Sequence, residues 1–222
     1  RSLANAVTVA DMTVDNSDPL RLRLTWSAYG NIPKGGWVLT YTIDGMPQPE
    51  IQTSEMSAEI FPLVPDSEYR FTLVPVDDIV IMGGITKYTA PTVAAFEGHG
   101  LVASDMEFTI CCRPDSENWN RNQIKAADKR TEFTTDEKIG FLVRTENTYN
   151  PDEDALVVLY VIRDTENNLT EISTTTGIWG DMWSRGYCVL NIPNTPAAPG
   201  AYTVAVYFNG AYVTSIDFTI IN

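Results

Sequence analysis

Alternation of apolar and polar residues runs along most of this chain, and it limits the available folds more than any other feature. The segment PLRLRLTWS places three leucines and Trp26 on one face and two arginines on the other. Residues 37–43 repeat the pattern and end at Asp44-Gly45, a turn signal. A period of two is typical of half-buried strands, and no stretch shows a long 3.6-residue apolar stripe with helix caps. The sequence therefore predicts an all-β protein.

The length favours two domains rather than one. A chain of 222 residues exceeds what one small core usually organises. A stretch that mixes glycines with polar residues, near residues 95–104, predicts a linker. We therefore place one domain at residues 1–96 and a second at residues 97–222. Residues 113–132 form a polar connection within the second domain, where we expect a short helix.

The first half carries a recognisable set of aromatic positions. They are Trp26, Tyr41 and the string Leu63-x-Pro65-x-x-x-Tyr69-x-Phe71-x-Leu73. This set resembles a fibronectin type III domain over residues 5–95. The resemblance implies a sandwich in which the Tyr69 ring is buried and its hydroxyl bonds to the backbone a few residues upstream. The apolar stretch DDIVIMGG departs from the pattern, and we interpret it as a lengthened loop, either a contact surface or a longer hairpin.

The end of the chain repeats the same order of events. A Pro199-Gly200 turn leads into a strand that begins near Tyr202, and Asn209-Gly210 predicts a type I′ hairpin before the final strand. This half resembles the immunoglobulin-like sandwich modules of bacterial extracellular proteins. The predicted fold is two tandem β-sandwiches, the first fibronectin type III-like and the second immunoglobulin-like.

Charge and hydropathy exclude several classes of partner. Fifteen basic and 29 acidic side chains give a formal net charge of −14, which repels nucleic acid and anionic lipid. The longest apolar run, ALVVLYVI, is far shorter than the roughly 20 residues of a membrane helix. We expect no nucleic-acid partner, no membrane insertion within this segment, and a monomer. The chain opens with Arg1 and shows no signal peptide, as we expect of a mature product or a segment of a longer chain.

The residues give little support for catalysis or for a cofactor. The single histidine, His99, lies between two glycines of the predicted linker, where nothing would hold it as a catalytic base. Zinc sites need several His or Cys at short spacing. The acidic loop around Asp152–Asp154 lacks the glycine and the glutamate of an EF-hand, which favours an ordinary turn over a weak calcium site. We predict no enzyme activity, no metal site and no cofactor, although a carboxylate pair would be invisible in the sequence.

The three cysteines leave alternatives open. Alternation places Cys112 inward with Phe108 and Ile110, leaves Cys111 outside, and points Cys188 inward. The odd and sparse cysteine count favours buried thiols, and a nucleophile is disfavoured. If their strands oppose each other, Cys112 and Cys188 could instead form an inter-sheet disulfide like that of immunoglobulin domains.

One aromatic segment is the candidate ligand surface. Trp179, Trp183 and Tyr187 recur every four residues among glycines in TGIWGDMWSRGY. Exposed aromatic rings stack against sugars or anchor protein partners, whereas the alternative is that these rings close the core or the domain junction. The resemblances imply a non-catalytic extracellular adhesion, binding or spacer module of an exported or surface-attached protein, with a protein or glycan ligand. The alternative is an accessory, carbohydrate-binding region of a secreted polysaccharide-degrading enzyme.

Overall fold

The chain is all-β, as predicted, in a computed structural model that describes residues 5–92, 97–98, 101–102, 106–116, 119–145, 155–178, 187–192, 195–196 and 198–222. Strands joined by turns account for nearly all of it, together with two three-residue 3₁₀ helices. The chain separates into two compact units, Arg1–Thr92 and Val93–Asn222. Among the described residues, no helix is long and apolar enough to cross a membrane.

The first unit contains nine strands within residues 5–92. They are β1 (Ala6–Asp15), β2 (Leu22–Gly30), β3 (Trp37–Ile43), β4 (Met46–Pro47), β5 (Ile51–Thr53), β6 (Ser57–Ile60), β7 (Glu68–Pro75), β8 (Val80–Gly83) and β9 (Ile85–Thr89). One sheet has the order β6-β2-β1-β8, and the other has the order β4-β3-β7-β9, with β5 also paired to β3. The strands predicted from alternation in this half are therefore present.

The two sheets of the first unit share one apolar core. Most side chains that alternate inward from β2, β3 and β7 are almost wholly buried, as the leucines of β2 and Phe71 of β7 show, whereas Tyr41 is partly buried. The rings of Trp26, on one sheet, and Trp37, on the other, meet edge to face with their centroids 6.1 Å apart. This contact joins the sheets face to face, which makes the unit a β-sandwich.

The hydroxyl of Tyr69 has the backbone partner that the family resemblance implies. The Val64 N–H donates to the Tyr69 hydroxyl oxygen at 2.8 Å, inside the turn that leads from β6 to β7. The ring is fully buried and contacts the rings of Tyr41 and Phe71, which also contact each other. Burial raises the pKa of this phenol well above its usual range. Because each polar group satisfies the other, an aromatic hydroxyl can enter the core at the start of β7.

The stretch DDIVIMGG is not the lengthened loop expected from the sequence. Half of it is β8, which pairs in parallel with β1, so that Val80 lies opposite Ala6 and Gly83 opposite Val9. The chain then changes sheets at Gly83 and Gly84, both in the left-handed region of φ. A Cβ atom at Gly83 would lie 2.5 Å from the Val9 carbonyl oxygen. The glycines thus permit the crossing, and the apolar residues before them close a sheet edge.

The second unit contains ten described strands. They are β10 (Glu97–Gly98), β11 (Leu101–Val102), β12 (Met106–Arg113), β13 (Glu132–Thr134), β14 (Lys138–Thr145), β15 (Ala155–Asp164), β16 (Leu169–Ile178), β17 (Tyr187–Asn191), β18 (Gly200–Phe208) and β19 (Ala211–Ile221). Strands β10 and β11 pair with each other inside the predicted linker. The polar connection before β13 holds the 3₁₀ helices Arg121–Gln123 and Ala126–Asp128, which are shorter than the helix expected there.

Two sheets again enclose one core in this unit. A three-stranded sheet has the order β12-β14-β17, and a five-stranded sheet has the order β13-β19-β18-β15-β16. Inward side chains of both sheets form a single apolar cluster, in which Phe141 of β14 stacks on Tyr160 of β15 at 5.9 Å. The second unit is therefore also a β-sandwich, as predicted.

The second tyrosine repeats the arrangement of the first. Tyr202, at the start of β18, donates its hydroxyl proton to the Ala198 carbonyl oxygen at 2.8 Å. Its ring is nearly buried and stacks on Phe218 of β19. The following hairpin turns at Asn209 and Gly210, both with positive φ, as the type I′ prediction requires. Both units therefore tether a tyrosine hydroxyl to the turn just before its strand.

Removing the Tyr69 hydroxyl should destabilise the first unit measurably. In Tyr69→Phe, the buried Val64 N–H loses its acceptor, and we expect the free energy of unfolding of that unit to fall by about 1–3 kcal/mol. Tyr202→Phe should cost less, about 1 kcal/mol, because the turn at Ala198 is open to water. Urea denaturation measures both, with Tyr29→Phe, at a 60% exposed tyrosine, as the matched control. Equal stability of Tyr69→Phe and the parent chain would contradict the role of this hydrogen bond.

Candidate functional site

The outward face of β18 and β19, in the second unit, has the features of a binding surface. Along β18, Tyr202 and the residues two, four and six positions further are buried, so Thr203 and Tyr207 lie on the opposite side, away from the core. The partners of these two residues on β19 are Asp217 and Tyr212. Residues directly opposite in an antiparallel pair share one side of the sheet, which brings the four side chains to the same face.

A bulge in β19 makes this grouping possible. The pairing shifts by one residue between Val206 and Tyr207, and Val213 is the additional residue. Val213 packs partly against the core, whereas Tyr212 before it is exposed. A bulge of this kind reverses which positions of a strand point outward. As a result, Tyr212 and Asp217 lie on one face although their positions differ by five, which would place them on opposite faces of a regular strand.

The polar end of the face is a cleft of about 370 Å³. The Thr203 hydroxyl donates to Asp217 Oδ1 at 2.6 Å, which holds the carboxylate in place. The Thr219 N–H donates to the Thr131 carbonyl oxygen at 2.8 Å and fixes the neighbouring segment against β19. The cleft is lined mainly by Thr131, Thr165, Ala201, Thr203, Asp217 and Thr219. Its volume lies at the lower end of the range of small-molecule sites.

The aromatic end of the face consists of two tyrosines. The rings of Tyr207 and Tyr212 meet edge to face at 5.9 Å, and Tyr212 is 52% exposed. The Tyr212 hydroxyl donates to Ser215 Oγ at 3.1 Å. The turn that carries these rings is tied to β15, because the Val157 N–H donates to Asn209 Oδ1 and the Asn209 N–H donates to the Val157 carbonyl oxygen, both at 2.9 Å. The hairpin tip is thus held in a defined position.

This arrangement can hold a ligand by ring contact and hydrogen bonds. Thr203, Thr219 and Asp217 supply hydroxyl groups and a carboxylate, and Tyr212 supplies an exposed ring. Hydrolysis of a glycosidic bond by paired carboxylates needs a second acid across the cleft. Among the described residues that line it, Asp217 is the one acid.

The structure does not test the residues proposed from the sequence as a ligand surface. Trp179 and Trp183 lie outside the described residues, and for Tyr187 the structure describes only the backbone, which opens β17 opposite Arg144. Ligand binding by these three residues stays a prediction. His99 and the acidic loop at Asp152–Asp154 also lie outside the described residues. Within the described part of the chain, no three His, Cys, Asp or Glu side chains are grouped as a metal site would need.

Cys112 and Cys188 cannot form the inter-sheet disulfide that the sequence left open. Their strands, β12 and β17, belong to the same sheet and flank β14 on opposite sides. Two strand spacings separate the backbones by roughly 9–10 Å, beyond the reach of a disulfide. Along β14, Cys112 lies opposite Ile139 and Cys188 opposite Val143, which widens the gap. Cys112 packs against the core as a thiol, in agreement with its inward orientation.

Cys111 lies on the opposite side of its strand from Cys112, as predicted, but it is not at the surface. It is fully buried beneath Trp119, from the polar connection, and beside Leu142. The Trp119 indole N–H donates to Asn191 Oδ1, and its ring lies against Gly140, where a Cβ atom would be 2.7 Å from Cζ2. Burial raises the pKa of the Cys111 thiol to about 12. A thiol protonated at neutral pH is a poor nucleophile, which supports the structural reading of this cysteine.

Tyr207, Tyr212 and Asp217 were not identified from the sequence as site residues. The alternation of apolar and polar residues could have indicated part of the site. The alternation that assigned Tyr202 and Val204 to the core leaves Thr203 and Tyr207 outward by elimination. The Asn209-Gly210 turn then places Tyr212 beside Tyr207. Nothing in the sequence marks the bulge at Val213, and Asp217 could not be assigned to the same face without it.

Comparisons with known proteins leave the family open. No family model matches the sequence, and no curated protein matches it. The chain is similar to the FN1–FN3 domains of chicken CNTN1 at 11% identity and a TM-score of 0.31, covering 98% of this chain and 68% of that one. It is also similar to a two-domain fibronectin type III segment of chicken tenascin, at 13% identity and a TM-score of 0.34, covering 96% of this chain and 99% of that one.

A third similar structure is the central fibronectin type III array of RIM-binding protein. The identity is 10% and the TM-score 0.28, covering 96% of this chain and 63% of that one. TM-scores this low do not establish a shared fold. The sandwich architecture therefore rests on the strand order, the register and the two cores described above.

Trp119 should control the chemical reactivity of Cys111. In a Cys112→Ser, Cys188→Ser background, we expect Gly140→Ala to displace the ring and to raise the rate of labelling by a thiol reagent about tenfold or more. Trp119→Ala, which removes the ring without a clash, should have the same effect. Thr135→Ala, at an exposed turn residue, is the control. If Cys111 stays unreactive in both variants while they remain folded, Trp119 is not its cover.

Proposed function

We propose that this chain is a non-catalytic binding and spacer module of an exported or surface-attached protein. The observation that carries the proposal is the direction of the terminal strands. In the first unit, β8 runs parallel to β1, with Ala6 opposite Val80. Strand β9, which begins two residues after β8 ends and pairs antiparallel with β7, is the last described strand of this unit. The chain therefore enters this sandwich at one end and leaves it at the other.

In the second unit, a strand that follows β10 to β12 has a parallel relation to the last strand. Strand β13 pairs in parallel with the final strand, β19, with Glu132 opposite Thr219 and Thr134 opposite Ile221. In a unit whose first and final strands point the same way, the chain enters at one end of the sandwich and leaves at the opposite end. Such units can be joined one after another along a polypeptide, and each can remain folded when its ends are held apart. This supports a spacer role for both sandwiches.

We also propose that the first unit is fibronectin type III-like and the second immunoglobulin-like, and the topology supports both assignments. In the first unit, a tethered tyrosine begins the strand before the last hairpin, in keeping with a fibronectin type III-like module. In the second, β12 pairs within one sheet whereas β13 joins the other, and Tyr202 repeats the tether. This arrangement favours an immunoglobulin-like module. We propose an extracellular or cell-surface location and a monomer on the strength of these assignments.

The binding role rests on the outward face of β18 and β19. An exposed tyrosine and a polar cleft lie on the same sheet surface. The net charge of −14 disfavours nucleic acid and anionic lipid as ligands. A protein or a glycan is therefore the class of partner that we propose.

Pulling the chain by its two ends tests the spacer role. A spacer made of two sandwiches should extend in two abrupt steps, with length gains of roughly 30 nm for the first unit and roughly 40 nm for the second. The Tyr69→Phe variant identifies the first unit, because only the force of the shorter step should fall. Smooth extension without separate steps would overturn the spacer role.

An assay for turnover tests the non-catalytic part of the proposal. The purified chain is incubated with a panel of chromogenic glycosides, and we expect no release above the buffer rate. The Asp217→Asn variant serves as the comparison, since Asp217 is the carboxylate of the cleft. Turnover by the parent chain that a single carboxylate substitution abolishes would show that the chain is an enzyme.

A further inference from the structure

We propose that the outward face of β18 and β19 binds a neutral oligosaccharide, with Tyr212 stacked on one sugar ring and Thr203 and Asp217 bonded to hydroxyl groups of another. The inference rests on the proposed binding function, to which it adds a ligand class and a set of contacts. It involves no bond making or breaking, since the ligand is held and not converted.

The aromatic end provides the ring contact. Tyr212 exposes about half of its surface, and its edge-to-face contact with Tyr207 fixes the angle of the ring. The hydrogen bond from Tyr212 to Ser215 and the two bonds between Asn209 and Val157 restrict its motion further. A flat ring held open to solvent can cover the apolar C–H face of a sugar at little conformational cost.

The polar end provides the hydrogen bonds. A carboxylate accepts hydroxyl protons through bonds that are stronger than neutral ones, and the Thr203 hydroxyl already orients Asp217. The hydroxyls of Thr131, Thr165 and Thr219 add groups that both donate and accept. A sugar hydroxyl can match either role. An anionic ligand would meet both the Asp217 charge and the net charge of the chain, so the structure favours a neutral one.

The spacing between the two ends sets the length of the ligand. Thr203 and Tyr207 are four positions apart on β18, which corresponds to about 13 Å along the strand. Between them, Ala205 and its partner Ser215 carry small side chains. The distance exceeds one sugar ring. A ligand that reaches both ends must therefore contain at least two rings.

An array of immobilised neutral oligosaccharides, probed with the whole chain, tests the inference. We expect binding to at least one class of glycan of two or more rings, followed by measurement of its affinity in solution. Tyr212→Ala and Asp217→Asn should each weaken this binding about tenfold or more, because each removes one end of the contact. The melting temperatures of both variants should stay near that of the parent, since both side chains are exposed.

Two matched variants control for unrelated effects. Tyr29→Ala removes an exposed tyrosine from the first unit. Asp136→Asn changes an exposed aspartate that accepts a threonine hydroxyl at 2.6 Å, the same local contact as in Asp217. Both should bind glycan as the parent does.

Three results would overturn the inference. The parent chain binds no glycan on the array, or Tyr29→Ala and Asp136→Asn weaken binding as much as the face variants, or binding survives in both Tyr212→Ala and Asp217→Asn. Loss in Trp179→Ala alone would place the ligand at the segment predicted from the sequence instead. None of these results changes the stepwise extension or the absence of turnover, so failure of the glycan site is distinguishable from failure of the proposed function.

Discussion

The tethered tyrosine hydroxyls are the interaction on which both sandwiches depend. A phenol cannot enter an apolar core without a partner for its oxygen, and a turn cannot be buried with an unpaired N–H. In the first unit, the Val64 N–H and the Tyr69 hydroxyl solve both problems together. The ring then contacts those of Tyr41 and Phe71 and links the turn to the centre of its sheet. The crossover between the sheets is thereby fixed at one residue.

The same tether in the second unit determines what the sheet shows to solvent. The bond from Tyr202 to Ala198 sets the residue at which β18 begins, and the stacking on Phe218 sets its pairing with β19. Because strand residues alternate sides, fixing Tyr202 inward fixes Thr203 and Tyr207 outward. The candidate binding face is therefore a consequence of the core contact beneath it. Core and surface on this strand cannot vary independently.

Sequence alternation was sufficient to predict the strands but not their arrangement in sheets. The buried leucines of β2, the aromatic face of β7 and the Asn209-Gly210 hairpin follow from local pattern and turn chemistry. The parallel pairing of β8 with β1 does not, because it joins segments from opposite ends of the unit. The disulfide hypothesis was wrong for the same reason, since strand membership decides whether Cys112 and Cys188 can meet. Cys111 is buried by Trp119, which belongs to the polar connection before β13. That segment has no alternating pattern from which the contact could be predicted.

The candidate site depends on one inserted residue, Val213, which the alternation of apolar and polar residues does not predict. Without the bulge, Tyr212 and Asp217 would point to opposite sides of β19, and continued alternation would place Asp217 toward the core. With Val213 as the additional residue, Ser215 and Asp217 move outward while Ile216 and Phe218 pack inward. The apolar residues at the end of β19 therefore face the core only because the bulge shifts the register by one residue. Such a shift costs part of the ladder. The bulge lies in β19, the strand that carries both the exposed Tyr212 ring and the Asp217 carboxylate. It therefore lies in the same strand as the two side chains that give this surface its binding features.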